Sequence, residues 1–334
     1  MSGKYSKLAI ICLSILCIGA CSQDPAPQSE NGLVPIILQT DWYAQPEHGG
    51  FYQAVAKGYY EEEGMKVEIR PGGNMNGIPH LVASKRVHFS VGAIETMLTH
   101  RSRGIPLVSL FPYFQHDPQC VLFHKESGIQ SLYDLDGREV MFQADLIYIN
   151  FLESMGIDLH LIPMDWSLVR YMSDTEFVQQ CFLTSEPLVV ARQGVDPGVI
   201  PMSESGFDPY RHVYTHENMV EERPEIVKAF IRASIRGWED FMTGDPKPAF
   251  KLIRESNPQQ TEPIMQEIVT QMKAYNLTGG NAEKDEELGQ YNRARLEKIL
   301  QQMIDNELLD GPVTLEESVA LDLLPEHLLV NNPL

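Results

Sequence analysis

Cysteine is scarce in this chain: five among 334 residues, of which Cys12, Cys17 and Cys21 lie in or just after the N-terminal apolar run. The other two, Cys120 and Cys181, are too few and too far apart for a disulfide framework or a cysteine-rich metal site. They read as buried apolar residues, and a bridge is the other option that an extracytoplasmic location permits. Positive charge is also in short supply. Lys and Arg total 26 against 46 Asp and Glu, and the formal net charge is -20. No stripe of cations interrupts the acidic surface, so nucleic acid is excluded as a partner. The chain lacks a Walker loop and a dinucleotide fingerprint. Ser185 has no Gly-x-Ser-x-Gly elbow around it. His80, His88, His100, His116 and His124 are scattered without metal-ligand spacing, so neither a metal nor a cofactor is expected.

What is present begins at the N-terminus. Lys4 and Lys7 precede an apolar stretch from Leu8 to Ala20, which is too short for a comfortable transmembrane helix and ends in small residues before Cys21. "IGAC" is a lipoprotein-type processing site. Residues 1–20 are the expected signal peptide, Cys21 the expected lipidation point, and residues 21–32 a polar, Pro-rich tether. The expected location is extracytoplasmic, on a membrane but not across it.

From Leu33 onward, short β-branched runs alternate with amphipathic stretches. "PIILQT" reads as a strand. In "HGGFYQAVAKGYYEEEG", Phe51, Ala54, Val55 and Tyr59 fall on one helical face, and Gly64 ends the pattern. "KVEIR", "VHFSVGA" and "PLVSLFPYF" read as further strands, with helices at "GIPHLVASKR" and "ETMLTHRSRG" between them. The alternation predicts an α/β architecture with a mostly parallel sheet covered by helices. A second unit opens near Ser127 with the strand "EVMFQ". Near the end, "RPEIVKAFIRASIRGWEDFM" predicts a strong helix, with Pro224 in its first turn and Val227, Phe230, Ile231, Trp238 and Phe241 on one side.

Three blocks carry a family resemblance: "DWYAQPEHGGFYQAVAKGYYEEEGMKVEI", "VHFSVGAIETMLTHRSRGIPLVSL" and "HKESGIQSLYDLDGREV". They resemble the superfamily of periplasmic substrate-binding proteins that includes thiamine-pyrimidine-precursor binders and the single-turnover thiamine pyrimidine synthase. The resemblance implies a two-lobed fold of type II with a hinge and an interlobe cleft. One lobe would comprise residues 33–124 plus 212–334, and the other residues 125–211. It also implies a monomer that delivers a small heteroaromatic ligand to the permease and ATPase of an ABC importer. The synthase of this superfamily uses a pyridoxal-phosphate lysine, a histidine four residues later and a Cys-rich run. Here Gly92 and Thr96 stand at the first two positions, and no cysteine lies between Asp196 and Asn218. The family's Gly-rich phosphate loop aligns with Ala144 to Ile147, which has no glycine. A binder and not an enzyme is therefore expected. The single-turnover synthase itself, and a binder of riboflavin, a sulfonate or another aromatic solute, are the alternatives.

A flat heteroaromatic needs aromatic faces and a few in-plane polar groups. The expected ligand-binding residues of the first lobe are Asp41, Trp42, Tyr43, Glu47 and His48, with Phe114 and Gln115 after "PLVSLFPYF". Gln143, Tyr148 and Glu186 are expected from the second. Glu186, before Pro187, would pair with an aminopyrimidine edge, and a salt bridge to Arg192 is its structural alternative. Gly49 and Gly50 are expected to let the backbone approach a bound ring.

Overall fold

The computed structural model describes residues 32–73, 77–144, 146–281, 283 and 286–328. The expected signal peptide, Cys21 and most of the tether lie outside the described residues. Among the described residues, no helix is long and apolar enough to cross a membrane.

The chain opens with β1 (Val34–Gln39), whose alternation buries Ile36 and Leu38. The helical pattern expected up to Gly64 is divided. α1 (Gly49–Ala56) stops before Gly58, whose φ of 74° interrupts the helix, and α2 (Tyr59–Glu62) follows. Next come β2 (Met65–Arg70), α3 (Ile78–Ala83), β3 (Phe89–Ala93), α4 (Ile94–Ser102) and β4 (Leu107–Phe114), as the alternation predicts. A second set holds β5 (Gln119–His124), β6 (Glu139–Phe142), α5 (Tyr148–Ser154) and β7 (His160–Pro163). It continues with α6 (Val169–Ser173), β8 (Val178–Phe182), α7 (Glu186–Arg192) and β9 (Pro197–Pro201). After β10 (Arg211–His216) the chain is helical: α8 (Glu217–Glu222), α9 (Pro224–Thr243), α10 (Lys247–Ser256), α11 (Glu262–Ala274), α12 (Arg293–Asp305) and α13 (Leu315–Ser318).

The strands form two five-stranded sheets, ordered β2-β1-β3-β10-β4 and β7-β6-β8-β5-β9. β10 runs antiparallel to both neighbours in the first sheet, and so does β5 in the second. Each of these strands has just crossed from the other lobe. It therefore starts at the cleft, where its parallel companions end. Because β5 belongs to the second sheet, the first crossing is at residues 115–118, earlier than the expected boundary after His124. The second crossing is the segment between β9 and β10. Cys120 and Cys181 face each other across β5 and β8 and form a disulfide. The reading of them as unbridged apolar residues is thereby corrected, although both are buried.

Helix packing positions the first cleft wall. α9 buries Val227, Phe230, Ile231, Trp238 and Phe241, the face its pattern predicts. α1 lies against that face so closely that a Cβ at Gly50 would stand 2.1 Å from Trp238, and one at Gly49 2.1 Å from Phe241. These two glycines therefore serve helix packing, which corrects the expectation that they face a ligand.

The two crossings are pinned together. His116 Nδ1 lies 2.7 Å from Asp208 Oδ2, and the Asp117 N–H donates to Asp208 Oδ1 at 3.2 Å. Arg295, on α12, donates to the carbonyl oxygens of Gln115 and Asp208 and also pairs with Glu286.

Candidate functional site: the interlobe cleft

β1 ends where the two lobes meet, and Asp41 is the first charged group beyond it. Its carboxylate accepts from His48 Nε2 at 2.9 Å and forms an ion pair with Arg211. Burial alone would raise its pKa, but the Arg211 charge and the His48 hydrogen bond outweigh that and hold it at about 2. His48 is itself buried, and its Nδ1 has no partner among the described residues. Arg211 opens β10, stacks over the Phe182 ring at 5.5 Å and lies 3.8 Å from Asp117. Burial disfavours its charge, yet Asp41, Tyr113 and Asp117 keep it well above the ordinary arginine value. It is a permanently charged group at the centre of the cleft.

Beside it, Tyr148 donates to Asp117 Oδ2 at 3.0 Å. Glu95, in the first turn of α4, is buried, and one of its oxygens has no partner among the described residues. Burial raises the pKa of both Asp117 and Glu95, and the charge of Asp117 adds to the effect on Glu95.

Other contacts bridge the lobes directly. Thr184 of the second lobe donates to Glu47 Oε1, while Glu47 Oε2 is buried without a partner among the described residues. Glu186 begins α7, and its Oε2 accepts the Phe182 N–H at 2.8 Å. Burial pushes up the pKa of both carboxyls, and the Glu186 charge raises that of Glu47 further. Trp42 meets Trp166 of the second lobe with ring centroids 5.0 Å apart. Arg192 reaches across to Glu267 on α11, so it is not the partner of Glu186. The lobes are closed on each other.

The fold thus gathers Asp41, Trp42, Glu47, His48 and Glu186 at one cleft, with Tyr148 joined to them through Asp117. Tyr43 lies at the rim, 45% exposed and edge-on to Trp42. The backbone N–H of Gln143 donates to Gln180 inside the second lobe. Two expectations are corrected. Phe114 is buried in the first-lobe core, edge-on to Trp238, and it is Tyr113 that approaches Arg211. The Gln115 amide donates to the carbonyl oxygens of Glu287 and Gln290, so it anchors the first crossing and does not face a ligand.

Sequence reasoning missed Arg211, Asp117, Glu95, Thr184 and Trp166. Arg211 and Asp117 sit at crossings whose position depends on long-range pairing. Trp166 offered a signal, as one of three tryptophans, in a short polar turn. It is 53% exposed, and its φ of 59° is unusual for a residue this large.

The pyridoxal-phosphate chemistry of the resembled synthase does not fit these residues. Gly92 stands in β3 opposite His212 and Thr96 on α4, and neither bears an amine or an imidazole. Among the described residues, Arg211 is the cleft cation that could meet a phosphate, and Asp41 already pairs with it. Among the described residues, no group of His, Cys, Asp or Glu could hold a metal ion.

Several known proteins are similar to this chain. The formylaminopyrimidine-binding protein of Halalkalibacterium halodurans is 26% identical, over 79% of this chain and 83% of its own. The 4-amino-5-hydroxymethyl-2-methylpyrimidine phosphate synthase of Legionella pneumophila is 24% identical, over 77% and 85%. Among solved structures, the periplasmic aliphatic sulphonate binding protein SsuA from Escherichia coli superposes with a TM-score of 0.63 at 11% identity, covering 85% of this chain and 91% of that one. Residues 45–249 match the family described as "NMT1/THI5 like". With that match running from the end of β1 through both crossings to α10, the chain belongs to the NMT1/THI5-like family and has the two-lobed α/β fold of periplasmic binding proteins.

Proposed function

We propose that this chain is the solute-binding protein of an ABC importer and captures a thiamine pyrimidine precursor, formylaminopyrimidine or hydroxymethylpyrimidine, between its lobes. The observation that carries this reading is the pair Glu47 and Glu186. One carboxyl comes from each lobe, burial raises the pKa of both, and an oxygen of Glu47 has no partner among the described residues. An aminopyrimidine edge supplies what they lack. Its exocyclic amine donates to one carboxylate, and a protonated ring nitrogen adds a charge-assisted bond. Trp42 and Trp166 supply the aromatic faces. At 5.0 Å between centroids they have no room for a ring between them, so the ligand must enter while the lobes are apart. Closure on the ligand then presents a new surface to the permease. In this reading the protein is a monomer outside the cytoplasm, tethered through lipid on Cys21.

Binding is favoured over turnover by Gly92 and Thr96, which lack the groups that the synthase chemistry requires. A sulfonate would need a free cation, and Arg211 is paired with Asp41. Thermal unfolding with each pyrimidine tests the proposal. A true ligand at 100 times its dissociation constant adds about 2.7 kcal/mol. A shift lost in Glu186→Gln supports the reading. Absence of a shift with both pyrimidines removes them, and riboflavin and sulfonates are then the compounds to test.

A further inference from the structure

At the end of the first lobe away from the cleft is a cavity of about 200 Å³ lined by Lys85, His88, His216, Asn218, Glu222 and Arg223. Its chemistry is opposite to that of the cleft. The chain carries a net charge of -20, and most of the cations described have a carboxylate partner. Lys85 and Arg223 have none among the described residues, and both face this cavity. Glu222 lines the cavity too, and its Oε1 accepts from the Asn218 side-chain amide at 2.6 Å, which orients the carboxylate without removing its charge.

The two histidines add directed donors. The Ile37 N–H donates to His88 Nδ1 at 3.0 Å, and the Asn218 N–H donates to His216 Nδ1 at 3.1 Å. In both neutral rings Nδ1 is therefore the acceptor, which places the hydrogen on Nε2. Burial lowers both pKa values, with Arg223 adding to the effect on His88 and Lys85 to that on His216, where the charges of Glu217, Glu222 and Glu221 oppose it without reversing it. Near neutral pH the cavity thus presents two N–H donors and two full positive charges against the single carboxylate, Glu222, in its lining. This donor set repels a metal cation and suits a tetrahedral oxyanion.

We infer that this cavity is a phosphate-binding site, separate from the solute cleft, for either free phosphate or the phosphodiester of a lipid headgroup. Placement bears on the source. His216 ends β10, whose other end, Arg211, lies at the cleft. β1 and β3 begin at the cavity's end of the sheet, so the segment preceding Val34 joins the lobe on this side. A lipid headgroup is within the geometry of a chain tethered there.

The test is titration of the full-length chain in detergent with inorganic phosphate and, separately, with glycerophosphoglycerol, the soluble diester of a phospholipid headgroup. Long-range proton–nitrogen spectra follow the Nε2 sites of His88 and His216. Saturable shifts at both rings are expected, weakened at least about tenfold in Lys85→Asn/Arg223→Gln. Both substitutions are outside the core, and Asn tolerates the left-handed backbone of residue 85, where φ is 59°. Either single variant serves if the double variant does not fold. Tighter binding of the diester assigns the headgroup source, and tighter binding of inorganic phosphate the free anion. No saturable shift with either compound at about 10 mM overturns the inference, as does unchanged binding in the variants.

Discussion

Replacing Asp41 by Asn preserves the shape of the side chain but removes the charge facing Arg211. In the folded protein Arg211 is only 12% exposed, and its remaining carboxylate, Asp117, is 3.8 Å away. Removing one partner of a buried pair costs about 3–5 kcal/mol, and retention of Asp117 puts the expected loss near the lower end. About 3 kcal/mol lowers Tm by roughly 6–12 °C in a unit of this size. The acid limb provides a second reading. The Asp41 carboxyl binds its proton less readily folded, at about 2, than at the ordinary value of 3.8. Its stabilisation is therefore complete above pH 3.8 and lost as the pH falls through about 2, an amount of about 2 kcal/mol. Thermal melts of both proteins between neutral pH and pH 2 should converge as the pH falls. The double variant Asp41→Asn/Arg211→Met should recover most of the loss, because no charge is then stranded. If Asp41→Asn melts within about 1 °C of the unmodified protein at neutral pH, the pair does not hold the cleft as argued.

Glu47 and Glu186 titrate with the opposite sign. They bind protons more tightly folded than unfolded, so the unliganded protein should lose stability as the pH rises above the ordinary Glu value of 4.5, and Glu47→Gln/Glu186→Gln should flatten that slope in melts. Reduction of the Cys120–Cys181 bridge, which closes 61 residues, should destabilise the second lobe by about 4 kcal/mol in denaturant titrations with and without reductant. Gly50→Ala should overpack the contact of α1 with Trp238 and cost at least about 1–3 kcal/mol by the same assay. Ligand binding should change tryptophan emission as Trp42 and Trp166 part, and Trp166→Ala should remove most of that change while Trp238 stays buried.

Much of the fold was legible because local periodicity carried it. The strands β1 to β4, the helices between them and the buried face of α9 follow from spacing alone. The crossing strands did not. "QCVLFH" and "RHVYTH" are interior strands of their sheets and antiparallel to their neighbours, and every residue of the first is buried. Strand alternation is absent there, and the partners lie far away in sequence. The cleft divides in the same way. Asp41, Trp42, Glu47, His48 and Glu186 stand in motifs that resembled a family, so they could be named. Arg211, Asp117 and Glu95 acquire their roles only when β10 is inserted between β3 and β4, which no short window contains. Phe114 and Gln115 were misassigned because the cleft end of β4 was legible, but not which of its residues the core and the segment at 287–290 would take.

The pinned crossings constrain how far the jaws can swing. On the first, Asp117 is tied to Asp208, while Cys120 is stitched to β8 by the disulfide. Only Pro118 and Gln119 lie between those fixed points, and the proline ring locks one of their torsions. The second crossing is held as well: Met202–Ser205 is a short 3-10 helix, and the buried Phe207 ring stacks on Phe151 at 4.0 Å just ahead of the Asp208 anchor. With both straps held, opening has to be a short hinge bend about the paired Asp117 and Asp208, not an unfurling of either strap.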